Sequence, residues 1–146
     1  MTNVRIATRE DLDSWITMRS ELWPSTSSDE HLKELQELLA TDTFQGWIAF
    51  SGDKQIGFAE ASIRSFANGC ESRPVVFFEG VWVHDSYRRK GLGREFVLAV
   101  ELWAKQKGII EIGSDAELTN TLSHDCHKSW GFVETERVVY FRKKLK

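Results

Sequence analysis

Apolar positions in this chain recur at two different spacings, and the switches between them mark out the elements. Val4 to Ala7 alternates apolar and polar residues, which predicts a short first strand. Thr8 and Asp11 then stand three residues apart, as in a helix cap, and Leu12, Trp15, Ile16, Arg19 and Leu22 lead a helix towards Trp23, which Pro24 closes. Ser25 to Ser28 reads as a loop. Ser27 with Glu30 opens a second helix, with Leu32, Leu35, Leu38 and Leu39 on one face. Phe44 to Phe50 and Gln55 to Phe66 predict a hairpin turned at Ser51-Gly52-Asp53-Lys54. Ala67 to Arg73 is a second turn into a strand over Val75 to Val83.

From Leu92 the apolar residues Phe96, Val97, Val100 and Trp103 return to helical spacing, and Gly108 ends that helix. Ile109 to Ser114 predicts another strand, with Asp115 at its end. Asn120 caps a short helix reaching Trp130, Gly131 terminates it, and Phe132 to Phe141 predicts a long last strand. The order is strand, two helices, three strands, helix, strand, helix, strand. An antiparallel front half followed by alternating helices and strands implies an α/β sheet of mixed direction.

The strand from Val75 to Val83 is broken by Glu79-Gly80, and a glycine within a strand marks a bulge or a close approach of another part of the chain. The carboxylate beside it needs a partner or water. After this strand, Arg88-Arg89-Lys90-Gly91-Leu92-Gly93 sits where a helix begins. Helix starts present unpaired amides and partial positive charge, glycines let a ligand approach them, and three basic side chains suit a pyrophosphate. The P-loop is excluded because Arg94-Glu95 follows Gly93. A dinucleotide fingerprint is excluded by Phe96, where a small residue is required.

Length and composition narrow the choice further. A chain of 146 residues with 41% hydrophobic and 28% charged content predicts a single globular domain, residues 1–146. The net charge of -3 argues against a nucleic-acid partner, whose affinity would rest on neutralising phosphates. No apolar run approaches bilayer length and the N-terminus lacks a signal-peptide core, so a soluble, cytoplasmic protein without a membrane partner is expected. Cys70 and Cys126 are too few for a disulfide framework. His124, Cys126 and His127 look ligand-like, but no second cluster completes a tetrahedral site, so no metal is expected.

The pattern Arg/Gln-x-x-Gly-x-Gly/Ala behind a bulged strand resembles the acetyl-CoA loop of the GCN5-related N-acetyltransferases, and the element order is similar to that fold over nearly the whole chain. A narrower resemblance is to the bacterial aminoglycoside 6'-N-acetyltransferases. It is carried by Leu22-Trp23-Pro24, Glu79-Gly80-Val81-Trp82-Val83, Arg88 to Gly93, Ser114-Asp115-Ala116, Asn120 with Ser123-His124, and Gly131-Phe132 followed by Glu134 to Phe141. The resemblance implies transfer of an acetyl group from acetyl-CoA to the 6'-amino group of an aminoglycoside, by direct attack in a ternary complex and without a metal. Because members of the family often form dimers, it also implies a homodimer.

Under that resemblance Val81, Trp82 and Val83 pair with the pantetheine arm, and Arg88, Arg89, Lys90, Gly91, Leu92, Gly93 and Arg94 hold the pyrophosphate. Asn120 contacts the cofactor. A polycationic sugar needs carboxylates and flat apolar faces. Glu79, Asp115 and Glu136 supply the first, Trp23 and Phe66 the second, with Glu79 the candidate base and Asp115 the other catalytic candidate. Each also has a purely structural alternative: Glu79 paired with an arginine inside the sheet, Asp115 starting a turn, Glu136 on the solvent side of a strand, Trp23 and Phe66 in the core, Asn120 as a helix cap. His127 stands where many members of the wider fold place a tyrosine that protonates the departing thiolate. Acetylation of a polyamine or peptide, and binding of acetyl-CoA without turnover, are the rival readings.

Overall fold

The computed structural model describes residues 1–146, which form two compact units, Met1–Asp115 and Ala116–Lys146. The first unit is built on a five-stranded sheet in chain order: β1 (Thr2–Ile6), β2 (Phe44–Ser51), β3 (Lys54–Arg64), β4 (Val75–Val83) and β5 (Ile112–Gly113). The first three junctions are antiparallel and the last is parallel, so the mixed sheet expected from the chain is present.

Helices α1 (Leu12–Leu22) and α2 (Ser28–Leu39) cover one face of this sheet, and α3 (Leu92–Gln106) covers the other. The two-residue period of β3 shows how. Phe58 packs with Trp15, Met18 and Leu35 of α1 and α2, whereas a side chain at its neighbour Gly57 would meet Phe96 of α3. On β2, likewise, Ile48 joins the α1 cluster and Trp47 meets Trp103 of α3 edge-on at 5.9 Å. Phe96, Val97, Val100 and Trp103 are buried, as their helical spacing predicts.

The helix starts behave as their sequences suggest. Ser27 accepts from the Glu30 amide at 3.2 Å while Glu30 reaches back to the Ser27 amide, a reciprocal cap on α2. Before α1 the roles are taken by Asp11, which accepts from the Thr8 amide at 2.8 Å and pairs with Arg5 at 2.8 Å. The strand following α3 is shorter than the sequence predicts. Only Ile112 and Gly113 join the sheet, opposite Val76 and Phe77.

The second unit holds α4 (Thr121–Ser129). Here one expectation is corrected: residues 132–146, which include the predicted strand Phe132 to Phe141, carry neither helix nor strand. Their composition favours an extended chain, but a strand exists only where a neighbour supplies a hydrogen-bonding ladder, and no other strand lies in this unit. Val133, Val138, Val139, Tyr140 and Phe141 are exposed in consequence. No helix is long and apolar enough to cross a membrane.

Candidate active site

The bulge anticipated at Glu79-Gly80 is present on β4. Glu60 of β3 pairs with Gly80 and the next residue, Ala61, pairs with Phe78, which leaves Glu79 as the extra residue. Gly80 is required by a side chain that lies against it. A methyl group there would stand 2.6 Å from the Trp23 indole and 3.1 Å from Leu22. Trp23, at the end of α1, therefore rests directly on the bulge, with its ring also edge-on to Phe58 at 6.0 Å.

Trp23 and Glu79 line one cavity of about 370 Å³, whose wall also includes Glu34, Glu60 and Ser62. Two accessible carboxylates, Glu34 and Glu79, and an indole thus meet in one hollow, the residue types a cationic sugar would need. The Glu79 carboxylate is clamped. Ser62 Oγ donates to Oε2, and Arg64 donates from Nη2 to Oε1 at 2.7 Å and from Nε to Oε2 at 3.1 Å. The Arg64 guanidinium in turn lies over Phe77, 3.7 Å from the ring centroid. Pairing of Glu79 with an arginine, the structural alternative for this residue, is therefore present at the cavity wall, where Glu79 stays partly exposed.

The same cavity abuts a buried polar cluster. Glu60 accepts from Trp15 Nε1 at 2.9 Å and from Arg19 Nε and Nη2, both at 2.7 Å. Burial opposes the charge on Arg19, yet its hydrogen bonds and attraction to Glu60 prevail and hold the guanidinium pKa above its ordinary value. Neither Ser62 and Arg64 nor this cluster was singled out from sequence. The signals were a charged residue on the apolar stripe of α1, at Arg19, and a carboxylate in the apolar run Ile56 to Ala61, at Glu60. A buried charge demands a partner, so the two point to each other.

The remaining candidates fall in several places. Phe66 lies beyond β3, exposed, with the Arg73 guanidinium 5.3 Å from its ring. Asp115 is exposed at the end of the first unit, two residues after β5. Neither lines the cavity that holds Trp23 and Glu79. Glu136 and Asn120 belong to the second unit. Asn120 Oδ1 accepts from the Ser123 amide at 3.2 Å, so its capping role is realised. His127 donates from Nδ1 to the Ser123 carbonyl at 2.7 Å, and its ring meets Trp130 and Phe132.

The cofactor candidates share one stretch of backbone. Val81, Trp82 and Val83 pair with Ala59, Phe58 and Gly57 on one side, but β5 meets β4 only at Val76 and Phe77. From Gly80 onward no strand of the sheet pairs with the other side of β4, the side on which an extended ligand could pair. The chain then turns through Asp85–Tyr87. Arg88 ties this turn to the strand by donating from Nε to the Val83 carbonyl at 2.8 Å and pairing with Asp85 at 2.9 Å. Arg89, at φ 61°, and Gly91, at φ 85°, adopt left-handed conformations that bend the chain into α3. The first backbone bond of that helix runs from the Glu95 amide to the Gly91 carbonyl at 3.1 Å, so the Leu92 and Gly93 amides precede it. Arg88, Arg89 and Lys90 are exposed around this turn.

Known proteins are similar to this chain in sequence and overall fold. The chain is 42% identical over 143 residues to an aminoglycoside N(6')-acetyltransferase type 1 of Salmonella typhimurium, covering 97% of this chain and 99% of that one. It is 40% identical over 142 residues to the enzyme of the same name from Serratia marcescens, covering 96% and 97%. Among solved structures, the aminoglycoside 6'-N-acetyltransferase AAC(6')-Ih of Acinetobacter baumannii superposes with a TM-score of 0.94 at 39% identity over the whole of both chains. The enzyme AAC(6')-Iy, solved with a bisubstrate analogue of CoA and acetylneamine, superposes with a TM-score of 0.95 at 40% identity over 99% of each chain. The model of the acetyltransferase (GNAT) family matches residues 12–132, and with a bulged β4, a basic turn into α3 and relatives matching along nearly its whole length, this chain belongs to the acetyltransferase (GNAT) family.

Proposed function

We propose that the protein transfers the acetyl group of acetyl-CoA to the 6'-amino group of aminoglycoside antibiotics and so confers resistance to them. The observation that carries this reading is the cavity at the β4 bulge. There an indole and carboxylates stand beside a strand edge open from Gly80 to Val83. Both halves of the reaction thus meet at one kink in one strand. The family match spans residues 12–132 and so crosses the boundary between the two units, which supports one catalytic domain over residues 1–146.

In this mechanism the pantetheine arm adds to the open edge at Val81, Trp82 and Val83 as a pseudo-strand. The pyrophosphate lies against the turn from Arg88 to Arg94, with Asn120 as a further cofactor contact. The acceptor amine loses a proton and attacks the thioester carbon. A backbone N–H of β4 stabilises the oxygen as it becomes negative, the C–S bond breaks, and the CoA thiolate takes up a proton. In this proposal Glu79, held by Ser62 and Arg64, receives the amine proton directly or through water, and Asp115 serves as the second catalytic carboxylate. Trp23 and Phe66 offer flat faces to the sugar, and Glu136 a further carboxylate. Acetyl-CoA is a cytoplasmic metabolite, which places the reaction in that compartment.

Thiol release is the test. Kanamycin or tobramycin should support turnover, while spermidine and a lysine peptide should not. Rapid turnover with the peptide alone would replace this reading by a protein acetyltransferase. Tight binding of acetyl-CoA with no turnover on any amine would replace it by a sensor. Glu79→Gln should lower kcat by about a hundred-fold or more, with the larger loss at low pH. An unchanged rate and pH profile would remove Glu79 as the base.

The protein also acts as a homodimer in this proposal. No strand is assigned over residues 132–146, and Val139, Tyr140 and Phe141 are exposed, a strand-like apolar segment that a second copy would pair and cover. Sedimentation equilibrium should show a dimer for the native chain and a shift towards monomer for Val139→Glu. A native chain that sediments as a monomer would overturn the assembly and leave the chemistry standing.

A further inference from the structure

Trp23 has an unusual set of restraints for a residue at a helix end. The last ladder bond of α1 runs from its amide to the Arg19 carbonyl at 2.7 Å, but its backbone angles, φ -123° and ψ 72°, lie outside the helical region and Pro24 follows, so the helix goes no further. Two further contacts hold it. Its carbonyl lies 3.3 Å from His31 Nε2, and its ring lies 5.0 Å from the Arg19 guanidinium carbon.

These restraints converge on one buried cluster. Arg19, His31 and Glu60 expose 2%, 1% and 1% of their surface, so they border the cavity while offering it almost nothing to touch. Arg19 uses Nε and Nη2 on the two Glu60 oxygens and directs Nη1 to His31 Nδ1 at 3.2 Å. Because Nδ1 must accept from the guanidinium, the His31 proton is assigned to Nε2, which donates it to the Trp23 carbonyl. The chain of bonds runs from β3 through Arg19 and His31 to Trp23 and fits one tautomer. The spacing of the helices produces it: Trp15 and Arg19 stand four apart on α1, and His31 and Glu34 three apart on α2.

Energetics indicate what such a cluster is for. Burying an ion pair gains little net stability over well-packed apolar residues, because desolvation offsets the attraction. Its distinctive property is direction, since a forked guanidinium with two acceptors and a stacked ring tolerates few geometries. We infer that Arg19, His31 and Glu60 are positioning residues that set the Trp23 indole against Gly80 as the acceptor platform, so that acceptor affinity depends on groups that do not touch the acceptor. This inference rests on the proposed role of Trp23 in acceptor binding. It adds the device that places the ring.

Steady-state kinetics of the full chain with acetyl-CoA and tobramycin test it, using Trp23→Ala, His31→Leu, His31→Gln and the double variant Trp23→Ala/His31→Leu. His31→Leu should raise the tobramycin KM about ten-fold and leave the acetyl-CoA KM within about two-fold, the scale of one coupled contact. His31→Gln, whose amide can still donate to the Trp23 carbonyl, should recover most of that loss. In the Trp23→Ala background, His31→Leu should add nothing. Should His31→Leu fail to fold, Arg19→Lys, which keeps the charge but loses the fork, carries the same expectation. A raised KM for both substrates, a fall in kcat that only follows the folded fraction, or additivity in the double variant would overturn the positioning role. An altered tobramycin KM in Trp23→Ala with none in His31→Leu would also overturn it while sparing the platform. An unchanged tobramycin KM in Trp23→Ala would overturn both.

Discussion

Substituting alanine for Gly80 tests the link between the bulge and the acceptor platform. The added methyl would lie 2.6 Å from Trp23 Cζ2, 2.8 Å from Cη2 and 3.1 Å from Leu22 Cδ2. Non-bonded carbons settle near 3.5 Å or beyond, so the indole must withdraw by about an ångström. The φ of Gly80 is not in the left-handed region, so crowding and not backbone strain sets the cost. Overpacking of this kind costs about 1–3 kcal/mol. In a domain of this size that corresponds to a fall of roughly 3–9 °C in Tm. Calorimetry on Gly80→Ala should show that fall, and the tobramycin KM should rise as the ring leaves its place.

A second substitution makes the reasoning refutable. Trp23→Phe removes Cζ2 and Cη2, the two atoms in conflict, so the effect of Gly80→Ala in that background should shrink by about 1 kcal/mol or more. The comparison needs four unfolding curves, for the native chain, each single variant and the double. If the two losses simply add, the methyl does not meet the indole, and the placement of Trp23 on Gly80 as the reason for that glycine is wrong.

Two further outcomes follow from titrating groups outside the cavity. Hydrogen bonding to Arg5 holds the Asp11 carboxyl below its usual range, so its contribution to stability is present above the unfolded value, about pH 4, and disappears as pH falls through the lower folded value. Asp11→Asn should therefore flatten the acid side of the stability curve below about pH 4, measured by denaturant titration at several pH values; an unaltered acid slope would contradict it. Burial pushes the Cys70 thiol up, and the charge of Glu111 adds to the effect. Cys70 should accordingly alkylate slowly with iodoacetamide at pH 7.5 and accelerate only towards higher pH, followed by peptide mass spectrometry. Rapid modification at pH 7.5 would show that the loop around it opens.

Local features survived the passage from sequence to structure where the cause was local. The caps at Ser27 and Asn120 and the apolar stripe of α3 depend on residues within a few positions of one another. Their spacing was sufficient to place them. The bulge at Glu79-Gly80 was also visible, as a glycine and a carboxylate interrupting a buried strand. What occupies the space above that glycine was not, because Trp23 reaches it from a helix more than fifty residues earlier in the chain.

By itself, then, the amino-acid order determined the kinds of element, most of their limits, the basic turn into α3 and the pairing of a carboxylate with a kink. Tertiary structure decided the partners. Only the folded sheet brings Ser62 and Arg64 onto Glu79, and only the packing of α1 and α2 against β3 turns Arg19, His31 and Glu60 into one cluster. Residues 132–141 show the same division from the other side: their composition prefers an extended chain, but β structure is a property of two segments, and one segment alone cannot supply both halves of a ladder.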